Sequence, residues 1–557
     1  MSRHSKLRGA LASTVLALVA LTGCQAVPDT GPVQPGLTEL SQGDRQVRFN
    51  PNGPAEDADQ QEIVRGFINA ASSNADDYAV AREFLTNGYS EQWDPSTGVL
   101  IDEGTRPYRE EDEGVAVLSL STVATVDDHG VMSSAAPGPT TDVRFELEEQ
   151  DGQWRISSAP TGVILELTTF EQTWARQQLY FLNQRGTLVP DTRWFLNRPT
   201  LASEIVEELL DGPTQAYQDT LHTAFPGGTS LANGSVPIIE GTAEIALSAE
   251  LAEASDQTLE DVSRQLTATL DGVSGVTNYD LSAGNISVGS HEVSAPEVDH
   301  VPQVTAVQRD GAFGLLTGGE VDLLDTLDEP VVDLDADAVA LSPGLDSAAV
   351  LSARGVSWID ETGVALIDSR AGQIAPAIDA FGYVWTYASR GGDGLVVRIP
   401  GDEGVTIGTS WGSGRTPVAI GLSPSGARIA ALVADGDNSV LLVAPVIRDD
   451  DGRPTGLGDT VLEELWTTGA PVDFDWIDEQ QFAVLSRVGE GGKVTFGGPG
   501  QLSTETGSVP GGTQISGGGA RSQVRVLDSG GDLFALQGQA WQRQERERGI
   551  DVLGKVG

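Results

Sequence analysis

Cysteine occurs once in these 557 residues, at Cys24, methionine twice and histidine five times. A single cysteine excludes an intramolecular disulfide and leaves no Cys-x-x-Cys pair for zinc or thiol redox chemistry. Beyond His4, the histidines are His129, His222, His291 and His300, widely scattered. His291-Glu292 lacks the second histidine four residues on that a zinc-binding helix needs. Basic residues are also scarce, 33 Lys and Arg against 81 Asp and Glu, for a formal net charge of −48. Nucleic-acid binding through phosphate neutralisation is thereby excluded, as is electrostatic adhesion to an anionic bilayer. The acidity reads as solubility and self-repulsion. With 39% hydrophobic residues the chain can still bury substantial cores, and its length predicts three domains.

The most legible segment is the first. Arg3, Lys6 and Arg8 form a positive region, and an apolar stretch follows around 11–21. That stretch has secretory length and falls short of the roughly 20 apolar residues that span a bilayer. It ends in Leu21-Thr22-Gly23-Cys24, the pattern of a bacterial lipobox. Residues 1–23 are therefore read as a lipoprotein signal peptide, with cleavage leaving Cys24 as the new N-terminus. Leu21, Thr22 and Gly23 form the lipobox, in which Thr22 and Gly23 are small enough for a peptidase groove. The Cys24 thiol takes a thioether-linked diacylglycerol, and its freed amine takes a further acyl chain such as palmitate. Loss of three basic residues leaves 30 − 81 = −51 on the mature chain. Each buried methylene contributes about 0.8 kcal/mol, and two or more chains hold firmly. The expected location is the extracytoplasmic face of the cell membrane.

Residues 24–56 read as a tether, rich in Pro and Gly and without a period. Residues 57–165 read as an α+β domain. Ile63, Val64, Phe67, Ile68 and Ala71 recur at helical spacing, and Tyr78, Ala81, Phe84 and Leu85 suggest a second helix ending at Asn87-Gly88. A strand-like run covers 115–126. Val143, Phe145 and Leu147 alternate through another strand, and Asp151-Gly152 turns into a third. The order resembles cone-like folds that cradle ligands. Residues 170–295 mix strands at 178–182 and 242–247 with two helices. Thr200 is expected to cap the first, which stops at Asp211-Gly212-Pro213, and Thr258 to begin the second, which ends at Gly272.

From 301 to 557 short strands alternate with Gly- and Asp-rich turns. Residues 340–351 match 421–432 at an offset of 81, about two blades at roughly 40 residues each. Weaker copies lie at 304–316, 377–387, 472–485 and 524–536. The expectation is a β-propeller of about six blades, with a mobile Gly-rich insertion at 498–519.

Sites for chemistry are few. Gly408-Thr409-Ser410-Trp411-Gly412 fits a nucleophile-elbow pattern, but no histidine follows His300. Asp333, Asp335 and Asp337 resemble the start of a calcium loop. Ala338 stands where that loop needs glycine and Gly344 where it needs glutamate, so alternating acids on a strand face are the simpler reading. Asp449-Asp450-Asp451-Gly452 reads as an acidic turn. No catalytic residue, metal ligand or cofactor-binding residue is assigned.

Taken in order, the lipobox, the Gly-Pro-Val-Gln-Pro-Gly tether, the α+β domain, the Leu209-Leu210-Asp211-Gly212-Pro213 helix end and the propeller resemble the actinobacterial LpqB lipoproteins. The helix end resembles the GerMN module named from germination and sporulation proteins. The resemblance implies a non-enzymatic accessory of the MtrA–MtrB two-component system. Such a lipoprotein would contact the extracellular domain of an MtrB-like sensor histidine kinase and influence envelope and division. Two other readings stand beside it, a binder of cell-wall fragments and a surface hydrolase working with carboxylates.

Overall fold

The computed structural model describes residues 51–557, apart from 285, 297, 299, 390–393, 410, 412 and 413. The described residues belong to one compact unit.

Its first helix, Gln60–Ala70, opens on a capping box. Asp59 accepts from the Glu62 amide at 2.9 Å, and the Glu62 carboxylate accepts from the Asp59 amide at 3.0 Å. Ile63, Val64, Phe67 and Ile68 fall on one face and are buried as expected. They pack against two four-stranded sheets. Between the helix and the sheets lies a core of packed side chains. Trp93 is 2% exposed, and the Phe67 and Tyr78 rings meet it edge-on at 5.1 and 5.8 Å.

Two local expectations fail in this domain. The second helix covers only Ala79–Arg82, because Leu85 leaves it to bridge Ile156. Thr86 then caps a new turn, Asn87–Ser90, so Asn87-Gly88 opens a helix rather than closing one. The run at 115–126 is two strands, Val115–Leu120 and Thr122–Asp127, in different sheets. Ser121 carries the chain between them, and an unbroken apolar pattern hides that change. The strand Thr141–Gln150 does send Val143, Phe145 and Leu147 inward. Asp151 and Gly152 make its turn at φ of 57° and 74°.

The middle module starts with the hairpin of Trp174–Asn183 and Leu188–Leu196. Helices Leu201–Asp211 and Asp256–Leu270 pack on it and on a second, four-stranded sheet. Thr200 makes no backbone cap; its hydroxyl donates instead to Glu204 Oε1 at 2.6 Å. Ser255, not Thr258, caps the second helix, its Oγ accepting from the Thr258 amide at 3.1 Å. Serine and threonine three apart offer the same signal, so spacing alone puts the start two residues late. Gly212 ends the first helix at φ 97°.

Among the described residues the C-terminal region is a propeller of six blades, five of four strands and the fourth of five. An eight-stranded sheet supplies two, joined where Ile550–Val556 pairs in parallel with Ala338–Leu341, and four further sheets complete the ring. Ile550–Val556 is the innermost strand of the first blade, whose other three strands lie at Ala306–Arg309, Ala312–Thr317 and Glu320–Leu323. The matching stretches 340–351 and 421–432 are first-to-second-strand hairpins of the second and fourth blades, two blades apart as the offset implied. The weaker copies at 377–387 and 472–485 occupy the same hairpin. Those at 304–316 and 524–536 fall on second-to-third-strand hairpins. Both hairpins read as apolar strand, polar turn and apolar strand, so the repeat fixes the period without fixing its phase.

The Gly-rich segment is not a mobile insertion. Thr504–Pro510 and Gly512–Ser516 are strands. Its glycines allow close backbone approach: a Cβ at Gly498 would lie 1.8 Å from Gln480 O, and one at Gly517 1.9 Å from Trp476 O. Asp333, Asp335 and Asp337 are exposed, as read, but they lie at the end of the helix Asp328–Asp333 and in the turn after it, not on a strand.

Candidate functional site

Residues 498–502, between two strands of the fifth blade, reach back to the other two domains. The Gly500 carbonyl accepts from Trp194 Nε1 at 2.9 Å, and its amide donates to Glu464 Oε2 at 2.9 Å. Gln501 Nε2 donates to Gln480 O at 2.6 Å, and Arg176 donates to Gln501 Oε1. Leu502 packs against the core of the first domain. That domain adds a direct link, Ser134 Oγ donating to Glu464 O at 2.9 Å. Glu464 thus sits where all three domains meet. Burial pushes its carboxyl up to about 7 against the pull of the Gly500 amide and Arg428.

Arg428 is the second fastening. It begins a strand of the fourth blade, is 1% exposed, and donates to Pro190 O of the middle module. Its Nη1 donates to Glu479 O at 3.2 Å and lies 3.6 Å from Glu479 Oε2, while its guanidinium stands 5.1 Å over the Tyr217 ring. Burial pushes the Tyr217 phenol well above its usual range. The propeller is therefore joined to the middle module by buried polar groups, a junction that requires one relative placement.

Beside Arg428 the junction opens into a small cleft. The turn Asn183-Gln184-Arg185 and Thr220 line one side, and Phe381, 425–427 and 446–452 the other. Within the ring the innermost strands are crossed by Lys555, whose Nζ lies 2.6 Å from Asp473 Oδ1 and 2.6 Å from Phe474 O. Asp475 next to it accepts from the Gly517 amide at 2.8 Å, and burial pushes its carboxyl up to about 7.

Of the residues singled out from the sequence, Asp449, Asp450 and Gly452 line this cleft. Cys24 and the lipobox residues Leu21, Thr22 and Gly23 lie outside the described residues, as do Ser410 and Gly412 of the elbow pattern. His291 stacks on Tyr279 at 5.0 Å and meets Ser263 Oγ at 3.0 Å, a polar knot between helix and sheet. His129 lies 3.4 Å from Glu208. Among the described residues no group of three His, Cys, Asp or Glu side chains converges as a metal site, and no helix is long and apolar enough to cross a membrane. The Asp449 turn is closed by its own carboxylate, which accepts from the Asp451 and Arg453 amides. Sequence reasoning missed Arg428, Glu464 and the 498–502 strap. A lone arginine in an acidic chain and a Pro between glycines were the available signals.

Three family models match the chain in succession. "Lipoprotein LpqB, N-terminal domain" covers 53–171, "Sporulation and spore germination" 178–288, and "Lipoprotein LpqB beta-propeller domain" 316–552. The Lipoprotein LpqB of Bifidobacterium longum is 28% identical over 82% of both chains, and that of Nocardia farcinica 27% identical over 81% of both. Among solved structures, the first GerMN domain of the sporulation protein GerM from Bacillus subtilis aligns with 22% of this chain and 97% of its own, at 20% identity and a TM-score of 0.18. With two family-specific domains flanking a germination-type module in this order, the chain belongs to the LpqB family of extracytoplasmic lipoproteins.

Proposed function

We propose that this lipoprotein is a non-catalytic binding platform, held on the outer face of the cell membrane by acylated Cys24, that engages the extracellular domain of a sensor histidine kinase and tunes its signalling. The observation that carries the reading is the three-way junction at Glu464, Gly500 and Trp194. It makes loops of the propeller and surfaces of both N-terminal domains move as one body, and a rigid scaffold presenting loops suits protein recognition. The kinase itself enters from the family resemblance. The charge of −48 favours a partner surface with basic groups and a salt-sensitive on-rate.

Titration calorimetry of the mature chain in detergent with a purified kinase ectodomain tests the partner. Saturable binding that weakens with salt is expected; no heat at high micromolar concentration would remove the kinase from the reading. The anchor has its own test. Cys24→Ser should fold normally, since the thiol has no cysteine to pair with, yet appear in the medium. Normal incorporation of labelled fatty acid into that variant would refute acylation at Cys24.

A second reading, a soluble envelope ligand, is favoured by the cleft at the junction.

A further inference from the structure

We propose that the cleft between the middle module and the third and fourth blades binds a small zwitterion, an amino acid or short peptide with compact apolar side chains and both ends free. The two cations at its wall have different standing. Arg448 is buried, ion-paired with Asp379 at 2.8 Å, and donates to Gly426 O and Gly452 O at 2.9 and 3.0 Å. Its guanidinium lies 3.9 Å from the centre of the Phe381 ring and holds that ring in place. Arg185 lies 4.6 Å from the same ring, is exposed, and makes no ion pair within 4.0 Å among the described residues. In a chain with 33 basic and 81 acidic residues, an arginine without a carboxylate at the wall of a cleft is an open position for one.

Across the cleft stand Asp449 and Asp450, both exposed. The Asp449 carboxylate is committed to its own turn. Asp450 is the acid available to a ligand. A simple anion meets these acids and is repelled, and a simple cation leaves Arg185 unmatched. A molecule carrying both charges satisfies both walls. The surface between them is Phe381, Ala427 and Val446, apolar and buried or half-buried, which selects short hydrocarbon side chains over polar ones. Because the walls come from two domains, an occupant also ties the middle module to the propeller.

Calorimetry of the mature chain in detergent with the dipeptide Ala-Ala, its C-terminal amide and its N-acetyl form tests this. Saturable binding of the free dipeptide is expected, with each blocked form weaker by about tenfold or more, as loss of a charge-assisted hydrogen bond implies. Arg185→Gln should remove the preference for the free carboxylate and Asp450→Asn the preference for the free amine. Both sites are exposed, and unchanged far-UV circular dichroism will confirm folding. No saturable heat with millimolar free dipeptide, or equal binding of all three forms, would overturn the assignment. So would affinity unmoved by both substitutions.

Discussion

Arg428→Ala should lower the unfolding free energy by about 3–5 kcal/mol, the usual cost of stripping one partner from a buried ion pair. The guanidinium is 1% exposed and Glu479 3% exposed, so neither has water to fall back on. Removing Arg428 also orphans the Pro190 carbonyl and opens a void under Tyr217. The damage should be concentrated at the junction, which urea unfolding read by tryptophan fluorescence detects, since Trp194 is bound to Gly500 there. A double variant, Arg428→Met with Glu479→Gln, removes both charges and should recover more than half of the loss. A single variant within 1 kcal/mol of the parent would mean that the domains are joined by something else.

The second large effect is with pH. Glu464 titrates near 7 when folded, chiefly through burial, with Arg428 opposing and Asp191 reinforcing the rise. Its ordinary value is 4.5. The folded chain therefore holds a proton that the unfolded chain has released between those values. The sign follows: this stability is fully present below about 4.5 and is lost as pH rises through 7, amounting to about 3 kcal/mol at a single site. Asp475, also near 7, acts in the same direction, and Glu208 and Asp478 are raised as well. Asp94, Asp142, Asp360 and Asp368 are held below their ordinary 3.8 and so act in more acidic solution. Stability should thus fall from pH 5 to pH 8, and Glu464→Gln, which keeps an acceptor for the Gly500 amide, should remove a large part of that slope. A Gln variant with the parent's slope would exclude Glu464 as its source.

The fold was legible where a period was strict. The helix Gln60–Ala70, the strand Thr141–Gln150 and the two-blade offset between 340–351 and 421–432 each follow from spacing that only one element satisfies. It was illegible where two structures share one pattern, as at Ser121, where the chain changes sheets without breaking its apolar run. The junction was hidden for a different reason. Arg428 meets Pro190 across 238 positions and Trp194 meets Gly500 across 306, and no local composition records such a meeting. The glycines at 498–500 signalled freedom, whereas their use is close contact.

Ring closure sets the order of assembly. The first blade's innermost strand is Ile550–Val556, and its neighbour is Ala306–Arg309, so the two must find one another across most of the propeller's length. Until they do, Ala306–Arg309 has an unpaired edge and the Lys555 bridge to Asp473 does not exist. Such pairing is slow, because loop entropy is spent before any contact returns it. A nascent chain would hold five complete blades and an open sheet edge, the state most exposed to self-association. Premature termination before residue 550 would therefore leave an aggregation-prone ring, not a slightly shorter propeller.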